Sequence, residues 1–124
     1  MKNFVEVIKI LPGPILMLRI AAGLDEVPPV AGKEVIDLCK EQQSEQVGVI
    51  MDERGVDYDV PIETMEHVHD APGLCAFASV VGSGRYADSM LWYEHANPRF
   101  RLFYEVEQAM EWVEEQILKA KEEK

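Results

Sequence analysis

Two apolar runs near the middle of the chain, QVGVIMDE at residues 46–53 and LCAFASVV at residues 74–81, limit its possible folds more than any other feature. Neither alternates apolar with polar residues, as a strand with one wet face does. Short runs of this kind, rich in valine and isoleucine, read as strands covered on both faces, the condition of a parallel sheet. Parallel neighbours need a crossover between them, so helical patterns are expected on either side of both runs.

The sequence supplies those patterns. In KEVIDLCKEQQ, residues 33–43, Val35, Leu38, Cys39 and Gln42 share one stripe, while Lys33, Asp37, Lys40 and Glu41 lie outside it. Pro61 suits a first helical turn, with Asp59 or Val60 near the cap, and a helix to about Asp70 carries Ile62, Met65 and Val68 inward. RYADSMLWYEHA, residues 85–96, is a third helix. The fourth, from residue 106, places Val106, Ala109, Met110, Val113, Ile117 and Ala120 at helical spacing, with lysines in its last turns where the dipole favours them.

The remaining strands are an N-terminal pair and a late one. FVEVIKIL and ILMLRIA flank Pro12-Gly13-Pro14, a hairpin signal, with Leu16, Leu18 and Ile20 on one face. GLDEVPPVAG is read as a connector and RGVDYD as an acidic loop. In RFRLFYE, residues 99–105, Phe100, Leu102 and Tyr104 alternate against Arg101 and Phe103. The order ββαβαβαβα gives an α/β fold, a five-stranded mixed sheet with four helices and an antiparallel edge from the hairpin. At 124 residues, with 48% hydrophobic side chains, there is core enough for a single domain spanning residues 1–124.

Charge narrows the partners. The formal net charge is -11, from 12 basic and 23 acidic side chains, which repels nucleic acid and anionic membrane surfaces. It also serves solubility alone. The apolar run IKILPGPILMLRIAAG imitates a secretory leader, but Pro12, Gly13, Pro14 and Arg19 interrupt it and Glu6 spoils its basic flank. It falls short of the roughly 20 apolar residues of a membrane span, so no membrane insertion and a cytoplasmic location are expected. Cys39 and Cys75 each sit in an apolar pattern and read as free thiols, although a bridge between them stays open.

The stretch most suggestive of chemistry is AFASVVGSGRYADSML, residues 76–91. A strand, the turn Gly82-Ser83-Gly84-Arg85 and a helix start offer free N–H groups to an anion or polar ligand. The glycines equally serve a sharp corner. The helix beyond has an apolar arc wider than one core-facing stripe, so Trp92 or Tyr93 is expected to be surplus and exposed, as a dimer face, a ligand wall or edge packing. Glu63 and His67, with His69, Asp70 and His95, fit helix-surface pairing better than a metal site, and no cofactor is expected. Asp52, Glu53, Asp57 and Asp59 read as a solvated acidic loop without the spacing of a calcium site. No nucleophile motif supports an enzyme.

Over essentially its whole length the chain resembles the SpoIIAA-like family, relatives of the STAS domain of anti-sigma factor antagonists. The resemblance is carried chiefly by residues 77–113: ASVVG, a helix bearing Trp92, and Phe103, Ala109 and Trp112 in order. It implies a small cytoplasmic domain that binds rather than catalyses. Antagonists of that kind are switched by a phosphorylated serine at the start of the helix after the third strand. MDERGVDYDVPIET, residues 51–64, has no serine, and Thr64 is the nearest hydroxyl, so no phosphosite is carried over. Another branch resembles lipid carriers of the CRAL-TRIO kind, with an apolar ligand held between helices and sheet.

The expectation is therefore a non-enzymatic domain binding a small apolar or amphipathic, lipid-like ligand, or a second copy of itself as a homodimer. Met90, Trp92 and Tyr93, with Tyr86, would form the apolar wall. Ser83 and Arg85, between Gly82 and Gly84, would hold an acidic headgroup. The alternative is a protein–protein regulatory module without the phosphorylatable serine.

Overall fold

The computed structural model describes residues 4–21, 27–54, 62–69, 71–82 and 85–123, with backbone alone for residues 62, 67, 85–89 and 92. Its elements follow the expected order: β1 (Val5–Leu11), β2 (Ile15–Ile20), α1 (Pro29–Glu41), β3 (Val47–Glu53), α2 (Ile62–His69), β4 (Leu74–Val81), α3 (Arg85–Ala96), β5 (Phe100–Phe103) and α4 (Val106–Glu122). The strands lie side by side in chain order, β1-β2-β3-β4-β5. β1 runs antiparallel to β2 across the Pro12-Gly13-Pro14 turn, and β2 to β5 are mutually parallel.

That monotonic order decides where the helices go. Each crossover moves one strand in the same direction, and crossovers are right-handed, so α1, α2 and α3 must share one face. The packing agrees. Leu16, Leu18, Val47, Val49, Met51, Phe77 and Phe100 meet Val35 and Cys39 of α1, Met65 and Val68 of α2, and Met90 and Tyr93 of α3. The other face carries Ile15, Met17, Ile50, Ala76, Ala78 and Val80 under Ala109, Val113 and Ile117 of α4. β3 and β4 are therefore covered on both sides, which is why their sequences never alternate.

Local differences have physical reasons. α1 begins at Pro29, four residues before the expected Lys33. A proline at the first helical position loses no bond, since that N–H has no partner in the helix anyway, and the turn it starts buries Ala31 and Gly32. Tyr104 is not an inward strand residue: β5 ends at Phe103 and Tyr104 is 71% exposed. Phe103 turns to the α4 face instead, its ring 5.7 Å from that of Trp112. Gly73 holds φ at +74°, and a Cβ there would press on the Ser44 carbonyl oxygen, so the turn into β4 needs glycine. Among the described residues, no helix is long and apolar enough to cross a membrane.

Candidate functional site

The expected site at the β4–α3 corner divides when its residues are placed. Gly82 is half-buried just past β4. Ser83 and Gly84 lie outside the described residues, as do the side chains of Arg85, Tyr86 and Trp92. Tyr93 is not surplus, contrary to expectation, and Met90 does not line an open ligand wall: they are 5% and 2% exposed, inside the core. The Tyr93 ring meets Phe100 edge-on at 5.0 Å, Phe100 stacks on Phe77 at 5.6 Å, and the Tyr93 hydroxyl donates to the Met65 carbonyl at 3.3 Å. This aromatic cluster fixes α3 to the sheet and leaves only about 10 Å³ beside it. Among the described side chains of α3, the exposed large apolar one is Leu91.

Space opens between α1, α2 and the sheet. A cavity of about 20 Å³ there, room for one water, widens into a hollow of about 330 Å³ when its open side is counted. Ile20 and Met51 line it from the sheet, Ala31, Gly32 and Val35 from α1, and Met65 and Val68 from α2. Two polar side chains, Glu53 and Thr64, join this apolar wall. It sits at the carboxyl ends of β2 and β3. A larger groove, about 180 Å³, lies between the β1–β2 turn and the last turns of α4. Exposed Leu118 and Lys121 border it, at the opposite end of β2, with no buried polar side chain in its lining.

The two neighbouring carboxylates at the end of β3 go to opposite faces. Asp52 pairs with Val80, on the α4 side, and Arg54 grips it with Nε–Oδ1 and Nη2–Oδ2 distances of 2.9 and 2.8 Å. That bond holds the Asp52 carboxyl below its ordinary range, against a smaller opposing effect of burial. Glu53 pairs with Val81, on the helix side, and is 4% exposed. A carboxyl so deep demands compensation by donors or positive charge. The amino ends of α1 and α2 approach this end of the sheet, and their dipoles favour a negative group.

Thr64 is 3% exposed, and its Oγ1 donates to the Val27 carbonyl at 3.0 Å, tying α2 to the segment that enters α1. Sequence reasoning placed Glu53 in an acidic loop with Asp52, Asp57 and Asp59; the last two lie outside the described residues. The strand parity that puts Val47, Val49 and Met51 inward was the signal that also turns Glu53 inward.

The other expected constellations separate. Cys39 packs on the helix face, while Cys75 borders the α4 face and donates its Sγ–H to the Val47 carbonyl at 3.4 Å, so both are free thiols. Burial pushes the Cys39 thiol up to about 11, and burial likewise raises Cys75. His69 Nε2 lies 3.1 Å from Nη2 of Arg99, which can only donate, so that nitrogen accepts. His95 is exposed on α3, and Asp70 and the His67 side chain lie outside the described residues. Among the described residues, no group of three or more metal-ligating side chains forms.

Fold and hollow together define a mixed α/β domain with three helices over one sheet face and one over the other, open between its first two helices. No protein-family model and no curated protein matches the chain.

Proposed function

We propose that this chain is a binding domain of the SpoIIAA-like kind whose ligand enters between α1 and α2, not at α3. The observation that supports this is an apolar hollow at the carboxyl ends of β2 and β3 with a buried carboxyl, Glu53, in its wall. The chemistry differs from the sequence expectation. A carboxylate repels an acidic headgroup and attracts a donor, so the ligand has an apolar body and an ammonium or hydroxyl head.

Short-chain probes test the reading by thermal shift. Hexylamine and hexanol raise the melting temperature, and hexanoate does not. Ala31→Leu, which fills the hollow, abolishes both shifts, and Glu53→Gln removes the advantage of the amine over the alcohol. If no probe stabilises the native protein, or if the shifts survive Ala31→Leu in a folded variant, the site is elsewhere.

Thr64, the hydroxyl nearest the place of an antagonist's phosphorylated serine, is sealed in the core and engaged with a carbonyl, so the alternative stays a docking module without a phosphosite.

A further inference from the structure

β1 is the outer edge of the sheet, paired on one side by β2. The Glu34 carboxylate of α1 covers its first amides, accepting from Phe4 N at 2.9 Å and Val5 N at 3.3 Å. Past that cap, every side chain from Glu6 to Ile10 is exposed. Val7, Ile8 and Ile10, at 44%, 43% and 54%, account for three of the exposed large apolar side chains among the described residues. An edge strand carrying such residues is a template for another strand.

The register within β1 says which strand fits. Val7 faces Leu18 and Lys9 faces Met17, so Ile8 is an extra residue, a bulge. Glu6 faces Arg19. Arg19 and Met17 are two apart and share a face, so Glu6 and Lys9 also share a face although they are three apart. Val5, Val7 and Ile10 oppose Ile20, Leu18 and Leu16 on the other face.

We propose that a second copy of this chain adds to this edge, β1 against β1, antiparallel, about a two-fold axis between Val7 and Ile8. In that register Glu6 of each copy stands opposite Lys9 of the other, twice by symmetry. Val7 and Ile8 of the two copies flank the axis, past the amides that Glu34 caps. Shifting the axis to Glu6 sets the two glutamates against each other, and shifting it to Lys9 sets the two lysines together. The order of charges along β1 is thus complementary to itself in one register. With a net charge of -11 on each copy opposing association, such local pairing is what a dimer here requires.

Sedimentation equilibrium of the full chain, from micromolar to millimolar, tests this. The native protein dimerises. Glu6→Lys and Lys9→Glu each turn two attractive pairs into repulsive ones and weaken the dimer about tenfold or more. The double exchange E6K/K9E restores it. Glu6 also lies 3.5 Å from Arg19, so circular dichroism must first show each variant folded. Ile8→Asp gives a reading independent of that ion pair and also dissociates the dimer, whereas Leu91→Lys on α3 leaves it intact. A protein that stays monomeric throughout overturns the proposal. So does a dimer that keeps native affinity through the single charge reversals or Ile8→Asp, fails to return in a folded double exchange, or is lost on Leu91→Lys.

Discussion

Gly48 is the second residue of β3, on the face covered by α4. A Cβ at this position would overlap Val113 Cγ1 and lie 3.2 Å from Ile117 Cδ1. Gly48→Ala therefore sets two effects against each other. Restricting the unfolded chain stabilises by about 0.4–1 kcal/mol where the native backbone accepts alanine. Forcing a methyl into a packed layer costs about 1–3 kcal/mol. The clash outweighs or cancels the gain, leaving a net loss of up to about 2.6 kcal/mol. With an unfolding entropy of about 2.1 cal/mol/K per residue over 124 residues, the melting temperature falls by up to about 10 °C. Val113→Ala vacates the contested space and alone costs about 1–3 kcal/mol through its cavity. The double variant loses less than the sum, by about 1–2 kcal/mol, because each change relieves the other. Urea unfolding of the four proteins measures this cycle. A Gly48→Ala protein more stable than the native one, or strict additivity with Val113→Ala, refutes the close approach of α4 to β3.

Three further outcomes are expected. Thr64→Val leaves the buried Val27 carbonyl without its 3.0 Å donor and lowers stability by about 1–2 kcal/mol in denaturant titration. Tyr93→Phe removes the hydroxyl bond to Met65 but keeps the ring packing, and costs about 0.5–1.5 kcal/mol by the same measurement. The Cys39 thiol rises from its ordinary value of 9.0 to about 11 in the folded chain, so the unfolded state releases its proton first. Stability from this group is whole below pH 9.0 and drains away as pH climbs toward 11, and at pH 8 a thiol dye labels Cys75 slowly and Cys39 only after unfolding.

Most of the fold was legible because its signals are local. The unbroken runs of β3 and β4 announce cover on both faces, and Ala109, Val113 and Ile117 repeat at the spacing that buries α4. The start of α1 was not legible, because Pro28-Pro29 reads as a linker until the buried contacts of Ala31 and Gly32 carry the helix through it. The hollow between α1 and α2 was not legible. An apolar pocket between helices and sheet was expected, but at the most aromatic helix. Aromatic surplus in a sequence does not distinguish rings left over from rings that fill a layer. Tyr93 and Met90 fill it, which only their distance from Phe100 and Phe77 reveals.

The sheet topology moves the site as well. In doubly wound sheets a reversal of strand order parts two helices on opposite faces and leaves a crevice between them. Here the order from β1 to β5 never reverses, so all three crossover helices crowd one face and room between them depends on side-chain size alone. Under α3 the layer holds Met90, Tyr93, Phe77 and Phe100, and it closes. Under α1 it holds Ala31, Gly32 and Val35, facing Thr64 and Met65 of α2, and it stays open. Small residues on the first crossover helix, not glycines at a later corner, therefore put the hollow beside Glu53. It follows that enlarging Ala31 closes the hollow, while trimming Tyr93 to alanine opens space under α3 against Met65, Val68 and Phe77, which also wall the hollow, and so enlarges it.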